Sequence, residues 1–363
     1  MKNLMRPKAA RTTRRLWLAA WAVAVTAAVA GAAGIAAGQG NAAPAIKAGK
    51  ESYPPRTAKF KRPKLKQGVL TINGTKASDK IALRLQAGQP DILQVDVGDD
   101  GSPDFSFERA KVAKIAVKAR SGDDLVRIDE SNGVFTDTIP TTIDGGDGND
   151  TIAGGKGVET LLGGAGNDTI DGNGGNDLAL LGAGDDTFVW DPGDGSDTVE
   201  GQDGTDTMRF NGANVSEQVD LSANGNRLKF FRIQGNVTMD TAGVERVDFN
   251  ALGGADLVTV NDLTGTGVSA VTVDLAGTLG GATGDGQPDR VVVNATNGDD
   301  SINVNGDAGG VKVSGLAATT KILHSEAAND RLEINTLAGR DTVDSGGLAA
   351  GAIQLFVDNL LVP

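Results

Sequence analysis

Between residues 145 and 209 the chain repeats a nine-residue unit, and that period constrains its fold more tightly than anything else in the sequence. The units run 145–153, 154–162, 163–171, 172–180, 181–189, 192–200 and 201–209. Two read Gly145-Gly146-Asp147-Gly148-Asn149-Asp150-Thr151-Ile152-Ala153 and Gly163-Gly164-Ala165-Gly166-Asn167-Asp168-Thr169-Ile170-Asp171. The fourth position is glycine in every unit and the sixth is acidic in every unit: Asp150, Glu159, Asp168, Asp177, Asp186, Asp197 and Asp206. The eighth reads Ile152, Leu161, Ile170, Ala179, Phe188, Val199 and Met208, and the phase slips once, by Trp190 and Asp191. A fixed period of this kind signals stacked coils rather than a globule or a disordered tract.

Glycine at the first, second and fourth positions allows turning through positive φ, and the three residues after the acid make a minimal strand with its eighth side chain inward. Two units close one coil. Like strands of successive coils then lie about 4.8 Å apart, close to twice the roughly 2.4 Å calcium–oxygen bond. Turn carbonyls and the sixth-position carboxylates would offer hard oxygen ligands to a cation between coils. Residues 137–209 hold sixteen acids and two bases, so stacked carboxylates without a cation would repel by several kcal/mol at an effective dielectric near ~20.

These units resemble the RTX, or haemolysin-type, calcium-binding nonapeptide Gly-Gly-x-Gly-x-Asp-x-apolar-x. The resemblance implies a right-handed parallel β-roll with several Ca²⁺ ions between turns. By position it places Asp150, Asp168, Asp186 and Asp206 on one edge, and Glu159, Asp177 and Asp197 on the other, with Asp147 an additional metal-binding candidate in the first turn. Glu159 is the weakest ligand by this reading. Its unit has glutamate for aspartate, and Lys156 adds a positive charge to the turn. The slip at Trp190-Asp191 threatens the stacking around Asp197.

Outside the repeats, 52 glycines, 4% aromatics and short alternating runs such as 69–72, 81–85 and 92–97 predict further strands joined by tight turns. A looser, longer repeat links Gly122-Asp123-Asp124-Leu125-Val126, Gly254-Ala255-Asp256-Leu257-Val258 and Asn329-Asp330-Arg331-Leu332. Asp289-Arg290-Val291 and Gly298-Asp299-Asp300-Ser301 recur 41 residues on as Asp330-Arg331-Leu332 and Gly339-Arg340-Asp341-Thr342. The expected fold is all-β: a parallel β-roll centre flanked by further short-strand β-solenoid or sandwich-like segments.

The amino-terminal region differs. Basic residues precede an apolar run over 16–37 and small residues around Pro44, which reads as an export signal over 1–45, and Arg14-Arg15 before Leu16 resembles a twin-arginine signal. A basic, proline-containing linker over 46–67 follows, then an N-terminal β segment over 68–144, the β-roll over 145–209 and a C-terminal β repeat region over 210–363. The formal charge of −13 divides unevenly, since residues 1–66 carry fourteen of the 34 bases and one of the 47 acids. From residue 67 onward the balance is strongly acidic, which excludes nucleic acid as a partner and favours cations. The basic linker makes contact with an envelope or extracellular polymer the further expectation, with no integral membrane span after signal cleavage.

Catalytic motifs are scarce. The chain has no cysteine and one histidine, His324, so cysteine nucleophiles and a two-histidine zinc helix are excluded, and no Gly-x-Ser-x-Gly elbow occurs. The expectation is an exported, calcium-binding, non-catalytic structural or adhesive module whose folding depends on extracellular calcium. The alternative is a secreted polysaccharide-acting hydrolase with an Asp/Glu site on the solenoid flank.

Overall fold

A computed structural model describes residues 60–362. The export signal over 1–45 and most of the basic linker lie outside the described residues. The chain forms two sheets, of fifteen and fourteen strands, facing each other across one hydrophobic core. The only helical element among the described residues is a single 3-10 turn, Arg109–Lys111.

In the centre the chain alternates between the sheets. The strands Thr151–Ala153, Thr169–Asp171, Thr187–Trp190 and Thr207–Asn211 stack in parallel in one sheet. Thr141–Asp147, Glu159–Ala165, Leu178–Ala183 and Thr198–Asp203 stack in the other. Ile152 pairs with Ile170, and Ile170 with Phe188, so two nine-residue units close one coil. The register also carries the apolar eighth position in line: Ile152, Ile170, Phe188 and Met208 form one buried column. Ile143, Leu161, Ala179 and Val199 form the facing one. Stacking like on like lets a single inward side chain per unit make a continuous core.

The two faces are unequal. In one sheet Thr151–Ala153 and Thr169–Asp171 keep the three residues expected and Thr187–Trp190 and Thr207–Asn211 lengthen to four and five, whereas Thr141–Asp147 and Glu159–Ala165 reach seven because the ladder runs on through their glycines, Gly146 with Gly164 and Gly164 with Gly182. The two-residue slip is absorbed without breaking the register: Leu178 pairs with Thr198 and Thr187 with Thr207. Trp190 turns inward there, 1% exposed, with its ring 4.3 Å from that of Phe210 and 5.9 Å from that of Phe230. These aromatic rings fill the core and present no surface platform.

Both sheets continue through the flanks. Phe210, Phe249, Val273 and Ile322 carry one apolar column on into the flank. The 41-residue recurrence is one coil: Arg290 pairs with Arg331 and Ser301 with Thr342. Antiparallel excursions interrupt the parallel stack. Gln218–Asn224, Arg227–Arg232 and Val237–Ala242 form a meander, as do Lys80–Gln86, Gln89–Val97 and Phe105–Glu108, and Ser301–Asp307, Gly310–Ser314 and Thr319–Leu323. At the end of the basic segment, Lys64–Lys66 pairs antiparallel with Val69–Asn73 and borders one sheet.

Candidate metal centre

Each nonapeptide turn delivers its acidic residue to the position just before a strand, and the stacking brings those acids into rows. The backbone N–H of Asp150 donates to Oδ1 of Asp168, that of Asp168 to Asp186, and that of Asp186 to Asp206, at 2.7–2.9 Å. On the opposite edge Glu159 donates to Asp177 and Asp177 to Asp197, at 2.7 and 2.8 Å. The division into two edges read from the repeat phase is therefore the division in space. Asp197 keeps its place despite the slip.

All seven acids are nearly inaccessible, at most 2% exposed. One carboxylate oxygen of each aspartate accepts the N–H of the preceding coil. The other, Oδ2 of Asp150, Asp168, Asp177, Asp186, Asp197 and Asp206, is buried with no hydrogen-bond partner. An orphaned buried anionic oxygen costs several kcal/mol unless a cation or proton meets it. Burial accordingly pushes these groups up from the ordinary carboxylate range: Asp168 and Asp197 to about 7, Asp177 to about 8, Asp150 and Asp206 to about 6. Desolvation is the largest cause in each. For Asp168 the neighbouring charges of Asp186 and Asp150 add to it.

The backbone around these oxygens has no room for side chains. A Cβ at Gly166, whose φ is +125°, would lie 2.2 Å from the carbonyl oxygen of Gly148 in the preceding coil. A Cβ at Gly163 would lie 2.4 Å from Oδ2 of Asp168. Glycine thus lets carbonyl oxygen and carboxylate approach one another along each edge. This donor set of hard oxygens, one carboxylate per turn, fits Ca²⁺ rather than a softer metal. No group of three or more His, Cys, Asp and Glu side chains converges among the described residues.

Glu159 differs from the aspartates. Its Oε2 accepts the N–H of Gly155 in its own turn at 2.9 Å, and only Oε1 remains without a partner. Its row begins there, since Thr136 and Glu130 occupy the preceding coil: Thr136 Oγ1 accepts the N–H of Gly157, and Glu130 accepts that of Lys156. Asp147 lies apart from both rows, exposed at the end of its strand, where Oδ2 accepts from Ser121 Oγ at 3.3 Å.

The rows run further than the nonapeptide period indicates. Asp124 donates to Asp150 at one end and Asp206 to Glu245 at the other. A third row links Glu217 to Asp256, Asp256 to Asp289 and Asp289 to Asp330. The sequence signal for these is an acid directly before an alternating strand in the longer repeat. His324, with φ 56°, follows the strand Thr319–Leu323, and its Nδ1 lies 2.6 Å from Oδ1 of Asp274.

No helix among the described residues is long and apolar enough to cross a membrane. No curated protein matches the chain. Residues 142–158, 154–188 and 193–214 match the family model for the RTX calcium-binding nonapeptide repeat, in four copies. The matched residues are those that build the two acidic edges, and RTX repeats bind calcium. The central coils of this chain are RTX calcium-binding nonapeptide repeats.

Proposed function

We propose that the protein is an exported calcium-binding β-solenoid, a non-catalytic structural or adhesive module that completes its fold on meeting extracellular calcium. The observation carrying this reading is the file of buried carboxylate oxygens without partners along both edges. Unloaded, each turn sets an anion in a desolvated site above another anion. A divalent cation removes both penalties at once, and because the rows exist only in the folded chain, its binding energy becomes folding energy.

In this reading Asp150, Asp168, Asp186 and Asp206 hold ions along one edge, and Asp177 and Asp197 along the other. Glu159 is the poorest ligand, because one of its oxygens is already satisfied by Gly155. Asp147 serves at most from outside the rows. The domain layout that fits is an export signal over 1–45, a basic linker over 46–67, and the solenoid from 68 onward with its ion-binding coils at 145–209. The linker's cationic character suits contact with an anionic envelope polymer.

Isothermal calorimetry of the full chain tests the reading. Several calcium ions should bind, with magnesium in equal concentration failing to compete. Absence of calcium binding would sink the proposal.

A further inference from the structure

We propose that the turn formed by residues 119–124 holds a calcium ion against the turn 145–150, so that the ion ladder starts one coil before the nonapeptides. The inference rests on calcium being the ion of the central repeats, and extends it to a turn outside the matched residues.

The turn 119–124 makes every inter-coil contact that a nonapeptide turn makes. Gly122 N–H donates to the carbonyl of Asp147 at 2.8 Å, as Gly148 N–H does to that of Ala165 at 2.7 Å. Asp124 N–H donates to Oδ1 of Asp150 at 2.8 Å, as Asp150 does to Asp168 at 2.7 Å. Oδ1 of Asp123 accepts the N–H of Asn149 at 2.8 Å, as Oδ1 of Asn149 accepts that of Asn167 at 2.7 Å. The Asp124 carbonyl accepts the N–H of Thr151, and the Asp150 carbonyl that of Thr169, both at 2.8 Å. A Cβ on Gly148 would lie 2.2 Å from the Gly122 carbonyl oxygen, the same clearance that Gly166 has over Gly148.

The carboxylate itself completes the likeness. Asp124 is 3% exposed, its Oδ1 accepts the N–H of Asp79 at 2.6 Å, and its Oδ2 is buried without a partner. Most other acids that precede flank strands are not so placed. The second oxygen of Asp79 takes the N–H of Thr75, that of Asp300 the N–H of Thr296, and that of Asp330 the N–H of Glu326, each four residues back in its own turn. Those turns close on themselves, as the Glu159 turn does, whereas the Asp124 turn stays open as the aspartate turns of the nonapeptides do. Asp256 also keeps a free oxygen, but its row already contains the Arg232 guanidinium, bonded to Glu217. The charges that act most directly on Asp124 are those of Asp150, Asp79 and Asp123, all negative, while Arg120 at the start of the turn keeps its side chain exposed.

Two features hide this turn in the sequence. A segment of extra residues lengthens the step from Asp124 to Asp150 to 26 residues in place of eighteen. Ala119 and Arg120 stand where the repeat has two glycines, and Arg120 adopts φ 95° with an exposed side chain. The carbonyl stacking depends on Gly122 and Gly148, which are both present.

Native mass spectrometry of the full chain in calcium counts the ions. Asp124→Asn, which keeps the acceptor for Asp79, should bind one ion fewer than the unsubstituted chain. Asp300→Asn, in a self-closed turn, should bind the full number. A full complement on Asp124→Asn overturns the inference and leaves the nonapeptide sites standing; an unsubstituted chain that binds no calcium overturns both. Arg120→Gly gives a second readout should Asp124→Asn fail to fold. Removing a positive charge from the turn should lower the calcium concentration filling one site by roughly threefold, and unchanged stepwise midpoints would contradict the assignment.

Discussion

The backbone N–H of Asp150 donates to Oδ1 of Asp168, eighteen residues further along, at 2.7 Å. That bond fixes one carboxylate oxygen of Asp168 between coils and leaves Oδ2 of the same group buried and unmatched. The same relation recurs down both edges, so each acid both spaces the coils and offers a site to a cation.

Within the row Asp168 lies between Asp150 and Asp186, whereas Glu159 starts its row and spends an oxygen on its own turn. Asp168→Ala should therefore lose at least one calcium ion, and leaving Asp150 N–H without its acceptor should cost about 1–3 kcal/mol. Glu159→Ala should reduce calcium affinity less. Equal losses in calorimetry would contradict the distinction between open and self-closed turns.

If the row carboxylates are the calcium ligands, as proposed, calcium and protons compete for the same oxygens, and the two states should respond to pH in opposite directions. Burial raises Asp168 to about 7 and Asp177 to about 8 in the folded chain, well above the ordinary value of 3.8. An acid with a raised folded-state pKa holds a proton that the unfolded chain has released, so stability falls as pH rises from about 4 towards about 8. In chelator, the residual β-sheet signal should be greater near pH ~5 than near pH ~8. With saturating calcium the trend should reverse over that window, since deprotonated carboxylates bind the ion. Parallel trends would show that these groups are not the calcium ligands.

Glycine at the fourth position is required by space as well as by conformation. Gly166→Ala places a Cβ against the Gly148 carbonyl at positive φ and should cost about 2–5 kcal/mol. Gly174→Ala meets only Lys156 atoms at 3.5 Å or more and should change stability by less than about 0.5 kcal/mol. Denaturant unfolding of the calcium-loaded variants measures both.

The meander carries a buried ion pair, Arg232 with Glu217, the latter fully buried. Arg232→Met strands the carboxylate and should destabilise the chain by about 3–5 kcal/mol. Adding Glu217→Gln should recover much of the loss. Chemical unfolding of the single and double variants tests the pair, and no recovery would place the loss elsewhere.

Much of this was legible in the repeat. A nine-residue phase with an inward eighth position foretells paired coils, and Ile152, Ile170, Phe188 and Met208 do stack as that phase requires. The acidic edges follow from the same phase. The flanks were legible as strands but not as rows of acids, because the steps between successive acids there are 26, 33, 39 and 41 residues. Meanders of different length enter between coils and erase the period while leaving the contacts intact. The Trp190–Phe210–Phe230 cluster was hidden for the same reason, since Phe230 reaches it only through the antiparallel pairing of Arg227–Arg232 with its neighbours. Positive φ at Arg120 departs from the glycine rule and left no trace in the pattern.

Circular dichroism of the full chain during a calcium titration, with magnesium as the control, addresses the central claim most directly. A chain that gains β-sheet signal cooperatively with calcium and not with magnesium, and loses it again in chelator, is the predicted result; one equally folded in chelator and in calcium would contradict calcium-coupled folding.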